Sequence, residues 1–315
     1  MKFKIIGYEA SKNLGDYIQT IAAAQFFGAD ISLIDRELLH INPQKKHALL
    51  LSGWFMENPK NWPPHPFYKP QFLSFHLNPT AEKRILNAEG VEYLKKHQPI
   101  GCRDTHTQKQ LQAKGITAYF SGCLTLALDP KKLFDTPPKK DHHILVLSVF
   151  ERLQHLGKPL DKSTINTLHQ GKAVWNRFRF KKAKKRLEAF LQKSRQPVQY
   201  RSQILTDNAL SETERMNKAK EQLLAIAQAA LVITSRIHTA LPAVALGTPV
   251  LFLMDGLEHP NQKSRLEGLT RFFTCKHSRE LNTLDWKAIQ NKKTHRPFVE
   301  AMTKRLDNFT STLEG

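Results

Sequence analysis

Acidic residues are scarce in this chain. It holds 28 Asp and Glu against 48 Lys and Arg, which leaves a formal net charge of +20. A surplus that large favours anionic partners such as phosphates, acidic glycans, nucleic acid or an anionic membrane face, and it says nothing about fold. Cysteine is nearly absent. Cys102, Cys123 and Cys275 are scattered, odd in number and without a CxxC pair, so neither a zinc site nor a disulfide framework is signalled and a reducing compartment fits. No ligand cluster argues for a metal. The longest apolar stretch, Ala240 to Met254, is interrupted by Pro242, Gly247 and Pro249, and is too short and broken to span a bilayer. The opening Met1-Lys-Phe-Lys-Ile-Ile-Gly-Tyr8 is too short in its apolar part for a signal peptide. There is no GxGxxG, P-loop or internal repeat, so an ATPase or an ordinary dinucleotide enzyme is unsupported. These absences together describe a cytoplasmic protein, peripheral at the inner membrane face if it meets a membrane at all.

What is present is organised around Leu231-Val-Ile-Thr-Ser-Arg-Ile-His-Thr-Ala-Leu-Pro-Ala-Val-Ala-Leu-Gly-Thr-Pro-Val250. A β-prone run (Leu231 to Thr234) leads into a polar elbow carrying Ser235, Arg236 and His238. A small-residue helix (Thr239 to Leu246) is stopped by Gly247, and Thr248 to Leu253 reads as the next strand. This is a strand–elbow–helix–strand unit of a parallel sheet. It puts Arg236 and His238 at the carboxyl end of a strand, beside a helix N-terminus, where open α/β sheets bind ligands and where anions are favoured. An arginine and an imidazole there suit a small, doubly anionic ligand; pairing of Arg236 with a nearby carboxylate and simple packing of His238 is the competing reading.

The 315 residues suggest about two domains. The first opens with a strand from Phe3 to Tyr8, the polar turn Glu9 to Asp16 and a helix from Tyr17 to Phe27, a Rossmann-like beginning. Gly15 allows the sharp turn, Asp16 can cap the helix, and Asn13 and Asp16 again fall at a strand's carboxyl end. Strands follow at 31–35, 47–52, 71–76, 99–102 and 116–120, with helices predicted over 80–96, capped by Thr80, and over the segment between Asp104 and Gly115. Arg103 and Asp104 sit at the strand–helix junction, as a site pair or as a cap and its ion-pair partner. Trp54 and Trp62 can stack on sugar rings or anchor a loop. The Pro- and Lys-rich passage from Asp129 to Lys140 marks the boundary, giving domains at 1–135 and 141–295 and a closing helix at 296–315. The second domain begins with a strand over 143–150 and continues with a basic amphipathic helix, Trp175 to Lys193. That helix is a solvated face or a surface for anionic lipid or an acidic substrate. Ser211-Glu-Thr-Glu214 has capping-box spacing for a helix reaching Ala229, and a late strand is predicted over 271–275.

Three motifs together resemble the polysaccharide pyruvyl transferases: Asn13-Leu-Gly-Asp16, Arg103-Asp104-x-x-Thr107 with Gly115-Ile116, and Ser235-Arg-Ile-His238 followed by Ala245-Leu-Gly-Thr-Pro249. The Ser-Arg-x-His element is the most specific. The resemblance implies an α/β fold of two Rossmann-like domains facing a cleft, similar to glycosyltransferase-B enzymes. It implies transfer of the enolpyruvyl-derived group of phosphoenolpyruvate to a glycan or lipid-linked sugar acceptor, usually as a ketal across two hydroxyls, with phosphoenolpyruvate as co-substrate and no cofactor. By this resemblance Arg103 and Arg236 hold phosphoenolpyruvate with His238, with Ser235, Asn13 and Gly15 on the substrate side. His238 is the general acid or base, and Asp16 or Asp104 the second proton-transfer group. Many relatives carry Thr-His near the strand where Tyr200-Arg-Ser-Gln203 stands here. The rival functions are a nucleotide-sugar-dependent glycosyltransferase of the same fold, a non-catalytic anion- or membrane-binding protein using Arg177–Lys193, and a fold that has lost turnover. No nucleic-acid motif is present, so nucleic acid is not an expected partner.

Overall fold

A computed structural model describes residues 2–28, 31–55, 58–156, 167–291 and 293–314. The elements run β1 (Phe3–Gly7), α1 (Leu14–Ala24), β2 (Ile31–Asp35), β3 (His47–Phe55), β4 (Tyr68–Leu77), α2 (Pro79–Ile85), α3 (Ala88–Lys96), β5 (Ile100–Cys102), α4 (Thr105–Ala113), β6 (Ala118–Phe120) and α5 (Pro130–Leu133). They continue with β7 (Ile144–Leu147), α6 (Glu151–Leu156), α7 (Thr167–Ser194), β8 (Val198–Arg201), α8 (Glu212–Gln228), β9 (Leu231–Thr234), α9 (Ile237–Ala245), β10 (Val250–Leu253), α10 (Pro260–Leu266), β11 (Thr274–Lys276) and α11 (Arg296–Glu314).

Two parallel sheets result, in the orders β2-β1-β3-β4-β5-β6 and β8-β7-β9-β10-β11. The central strands are short apolar runs buried on both faces: Leu49 to Leu51, Ile144 to Leu147, Leu231 to Ile233 and Val250 to Leu253. That composition suits a parallel sheet covered by helices on each side. In each sheet the order reverses beside its first strand, between β1 and β3 and between β7 and β9. Such a reversal opens a crevice at the carboxyl ends of the strands.

One apolar cluster joins the halves. Ile5 and Leu50 of the first sheet, Leu145 and Val232 of the second, and Ile18, Leu223 and Leu241 from α1, α8 and α9 belong to the same buried core. Backbone bonds reinforce the joint: Leu14 N–H donates to the Gln203 carbonyl at 2.9 Å, and Leu205 N–H to the Lys12 carbonyl at 2.7 Å. Tyr17 Oη donates to Glu212 at 2.9 Å, and the buried Arg215 donates to the Ser11 carbonyl at 3.1 Å. Helix α11 returns to the first sheet. Its Phe298 ring meets Phe120 edge-on at 5.3 Å, and Arg305 donates to the Pro99 carbonyl at 3.1 Å.

Several local expectations are corrected. Asn13, not Asp16, caps α1, accepting from Gly15 N–H at 3.1 Å. The helix expected over 80–96 is two helices, capped by Asn78 and Asn87 rather than by Thr80. The second crosses so tightly that a Cβ on Gly90 would lie 1.9 Å from the Ile85 carbonyl oxygen. The strand expected over 143–150 stops at Leu147, because Ser148 and Phe150 take left-handed φ of 49° and 60°. The late strand starts at Thr274; before it, Leu269–Phe272 turns, bringing the Phe272 ring against Phe298 at 5.4 Å. Ser211 and Glu214 do form the capping box of α8. Trp62 is buried against Phe72, Phe75 and Tyr93, anchoring its loop, whereas the Trp54 side chain lies outside the described residues.

A core shared by both sheets predicts one cooperative unfolding transition. Leu241→Ala, at a fully buried site in the joint, is expected to cost about 2–5 kcal/mol and to lower the single calorimetric transition as a whole. Two resolved transitions, with only one shifted, would show the halves to be independent.

Candidate functional site

Both crevices open into one cavity of about 660 Å³, within the usual range of small-ligand sites, roughly 300–1,000 Å³. Its walls come from the loop after β1 (Ser11, Asn13, Asp16), from Asn78 and Thr80 beyond β4, from Arg152 beyond β7, from Gln203, from Ser235 to His238 beyond β9, and from Asn261 and Arg265 on α10.

The elbow after β9 is shaped by its own sequence. Pro242 has no N–H to offer the carbonyl four residues back, and its ring crowds that carbonyl. His238 accordingly leaves helical geometry, with φ −82° and ψ 16°. The imidazole is buried, lines the cavity, and its Nε2 has no partner among the described residues. Burial lowers its pKa well below the ordinary histidine value, and the charges of Arg103 and Arg265 add to the effect. It is therefore neutral at pH 7.

Arg236 is partnered as well as placed. Its Nη2 donates to Glu151 Oε2 at 2.5 Å, across the β7/β9 reversal. Glu151 also accepts from Ser148 Oγ at 2.6 Å and Ser202 Oγ at 3.1 Å. Burial pushes the Glu151 pKa up, but these bonds and the Arg236 charge carry it below the ordinary value. The left-handed turn at Ser148 and Phe150 is what brings Glu151 and Arg152 to this edge. Ser235 lines the cavity, yet its hydroxyl donates to the Leu253 carbonyl at 2.8 Å, so its proton is committed to the scaffold.

On the opposite wall, Asp16 accepts from Ser11 Oγ at 2.7 Å. Burial raises its pKa despite that bond. Asn13 receives Gln203 Nε2 at 2.8 Å, while Gln203 Oε1 accepts from Thr239 Oγ1 at 2.6 Å. Gln203 thus ties the loop after β1 to α9. Gly15 serves this bridge rather than a ligand: a Cβ there would lie 2.5 Å from Gln203 Nε2 and 3.0 Å from His238 Cβ.

Arg103 and Asp104 do not line the cavity; both are completely buried at the end of β5. Asp104 caps α4, accepting from Thr107 N–H and Oγ1, each at 2.8 Å. Its other oxygen lies 2.5 Å from His76 Nδ1. A carboxylate only accepts, so Nδ1 carries the hydrogen and Nε2 is the bare nitrogen. Burial raises the Asp104 pKa, but His76 and Arg103 outweigh it and hold the group ionised. None of the Arg103 guanidinium nitrogens has a hydrogen-bond partner among the described residues; the nearest anion is Asp104, 3.7 Å from Nε.

Sequence reading missed Glu151, Arg152, His76 and Arg265. The first two follow the end of β7, the same position relative to a strand that singled out Arg236. Arg265 arrives from α10 and carried no such signal. Burial, with Arg103 and Arg152 nearby, lowers its pKa to about 9. Arginines gathered closely enough that their charges add to burial at Arg265 suit a site configured for negative charge.

With this geometry in hand, residues 13–254 match the profile of the polysaccharide pyruvyl transferases. The chain belongs to that family. The match starts at Asn13, the last residue of the loop after β1, and covers the β5–α4 junction and the whole β9–α9 elbow. No curated protein matches the chain. Similar solved structures include a functionally uncharacterized protein from Klebsiella pneumoniae subsp. pneumoniae NTUH-K2044, with 12% identity, 84% of this chain and 87% of that chain covered, and a TM-score of 0.45. The wall teichoic acid polymerase TagF is another, with 10% identity, 98% and 84% covered, and a TM-score of 0.40. No helix among the described residues is long and apolar enough to cross a membrane.

The depressed His238 pKa has a stability consequence. Above about pH 6.5 the imidazole is neutral in folded and unfolded chains alike. Below it the unfolded chain takes up a proton that the folded chain refuses, so stability falls with pH, by up to about 1.4 kcal/mol per pH unit. Denaturant unfolding at pH 7 and pH 5 should show a smaller acid loss for His238→Gln than for wild type. Equal losses would mean that His238 is protonated in the native protein.

Proposed function

We propose that the chain transfers the pyruvyl group of phosphoenolpyruvate to hydroxyls of a cell-envelope glycan precursor, forming a pyruvate ketal. In this reading residues 1–135 with the closing helix, and residues 141–295, are two Rossmann-like domains facing a cleft, similar to glycosyltransferase-B enzymes; the two strand orders, each reversing beside its first strand, support it. Family membership supports a pyruvyl transferase acting on polysaccharide. The observation that carries the donor is the convergence of Arg152, Arg236 and Arg265 on a cavity also lined by Asp16 and His238. A carboxylate and a phosphate on one small molecule match planar, permanently charged guanidinium groups.

The chemistry divides between the two walls. Asp16, its pKa raised by burial, is the group assigned to deliver a proton to the methylene carbon of the donor. The arginines hold the phosphate and carboxylate while positive charge develops at the central carbon. His238, neutral, takes the proton of the attacking sugar hydroxyl. Phosphate then leaves with the C–O bond electrons and a second hydroxyl closes the ketal, releasing its proton. Such groups each contribute roughly 10²–10⁴-fold in rate. Asp104 in this scheme is a positioning residue: it orients His76 and balances Arg103.

Calorimetric titration of phosphoenolpyruvate tests the donor, with a nucleoside diphosphate as comparator. Wild type is expected to bind saturably. Arg265→Ala and Arg236→Ala should each lose roughly 10–100-fold in affinity, the worth of a charge-assisted hydrogen bond. Preference for the nucleoside diphosphate would replace this reading with a sugar-nucleotide donor.

A further inference from the structure

The basic helix α7 has two unlike faces. Ala183, Leu187, Phe190 and Leu191 form the buried stripe and belong to the core beneath the second sheet. Over the first turns the residues opposite that stripe at 3.6-residue spacing include Val174, Trp175, Phe178, Lys181, Lys182 and Lys185, and all six are exposed; Arg177 is exposed at the edge of this face, and Glu188, Ala189 and Gln192 continue it. Along the centre of this outer face the apolar side chains precede the lysines, with Arg177 to the side. Trp175 is 62% and Phe178 55% exposed, and their rings stack at 6.0 Å. One turn on, Lys182 Nζ lies 5.9 Å from the Phe178 ring centre.

The face is coupled to the cavity. Arg179, between the aromatic pair and the lysines, pairs with Glu258. Glu258 also accepts from Gly256 N–H at 3.4 Å, and its neighbour Leu257 lines the cavity. The helix therefore stands beside one rim of the site.

We propose that the outer face of α7 docks on an anionic phospholipid bilayer, with Trp175 and Phe178 entering the headgroup region, Lys181, Lys182 and Lys185 meeting lipid phosphates, and the cavity rim held toward the membrane surface. Two arguments select lipid over a soluble polyanion. Exposed tryptophan and phenylalanine gain from an interface that is apolar on one side and wet on the other. A phosphate-tracking surface for a soluble polymer needs cations along the length of one face, and here Val174, Trp175 and Phe178 occupy the first turns of that face, with Arg177 at its edge. The lysines fit a negative surface potential. The inference concerns where the protein sits, and it stands whichever donor occupies the cavity.

Flotation with phosphatidylcholine–phosphatidylglycerol vesicles, and with phosphatidylcholine alone, tests it. Wild type is expected to float with the anionic vesicles only. Trp175→Ala with Phe178→Ala should weaken this roughly tenfold or more, and Lys181→Glu with Lys182→Glu and Lys185→Glu should abolish it, with far-UV circular dichroism and phosphoenolpyruvate titration unchanged in both. The chain has four tryptophans, so the environment of Trp175 is read by difference. A vesicle-induced blue shift present in wild type and missing in Trp175→Phe, which still floats, supports insertion. Failure to float overturns the proposal. So does flotation that polyphosphate competes away and that the aromatic substitutions leave intact, which would mark a polyanion-binding surface.

Discussion

Positive charge held close to positive charge is the condition under which this molecule is built. Burial and the charges of neighbouring arginines lower the pKa values of Arg152 and Arg265, and the charges of Arg103, Arg265 and Arg236 add to burial in lowering that of His238; like charges in a partly desolvated site repel strongly. Such an arrangement persists only if something else fixes the backbone. Here the fixing element is the apolar joint beneath the cavity, where α1, α8 and α9 pack between the two sheets. Three carboxylates temper the repulsion: Glu151 beside Arg236, Asp104 beside Arg103, and Asp16 facing Arg265. They do not cancel it, and the remainder leaves the cavity net positive.

Burial at the same cavity sets the states of Asp16 and His238. Burial alone pushes a carboxyl up and an imidazole down. At this cavity it does both, to Asp16 on the first half and His238 on the second. Ordinary values would leave the carboxyl ionised and the imidazole partly protonated at neutral pH. A shared environment moves both toward their uncharged states without any special chemistry in either residue.

The parallel strands and the two crossovers that carry the site were legible, because buried parallel strands are written as apolar runs and their ends as short polar elbows. Ser235-Arg-Ile-His238 was readable for that reason, and so were Asn13 and Asp16. Glu151 and Arg152 were hidden by an overlong strand: nothing in Ser148-Val-Phe150 announces the left-handed turn that ends it, since neither Ser nor Phe is chosen for that geometry. The break at Asn87 was hidden because its periodicity continues through the break. Arg265 was invisible for a different reason. It reaches the cavity through the packing of α10, and tertiary placement leaves no mark in local spacing. Asp104 carried two readings from sequence, and its bonds to Thr107 and His76 favour the structural one.

The backbone ladder between Lys12–Leu14 and Gln203–Leu205 makes the cleft a welded seam more than a hinge. Swinging the halves apart would break those bonds, separate Gln203 from Asn13 and expose the shared core, a cost of the same order as unfolding. Traffic through the site must then pass its rim, with side chains such as Arg152 and Asn261 adjusting in turn. Exchange of any ligand then runs along one open side, in a cavity that keeps nearly the same shape throughout.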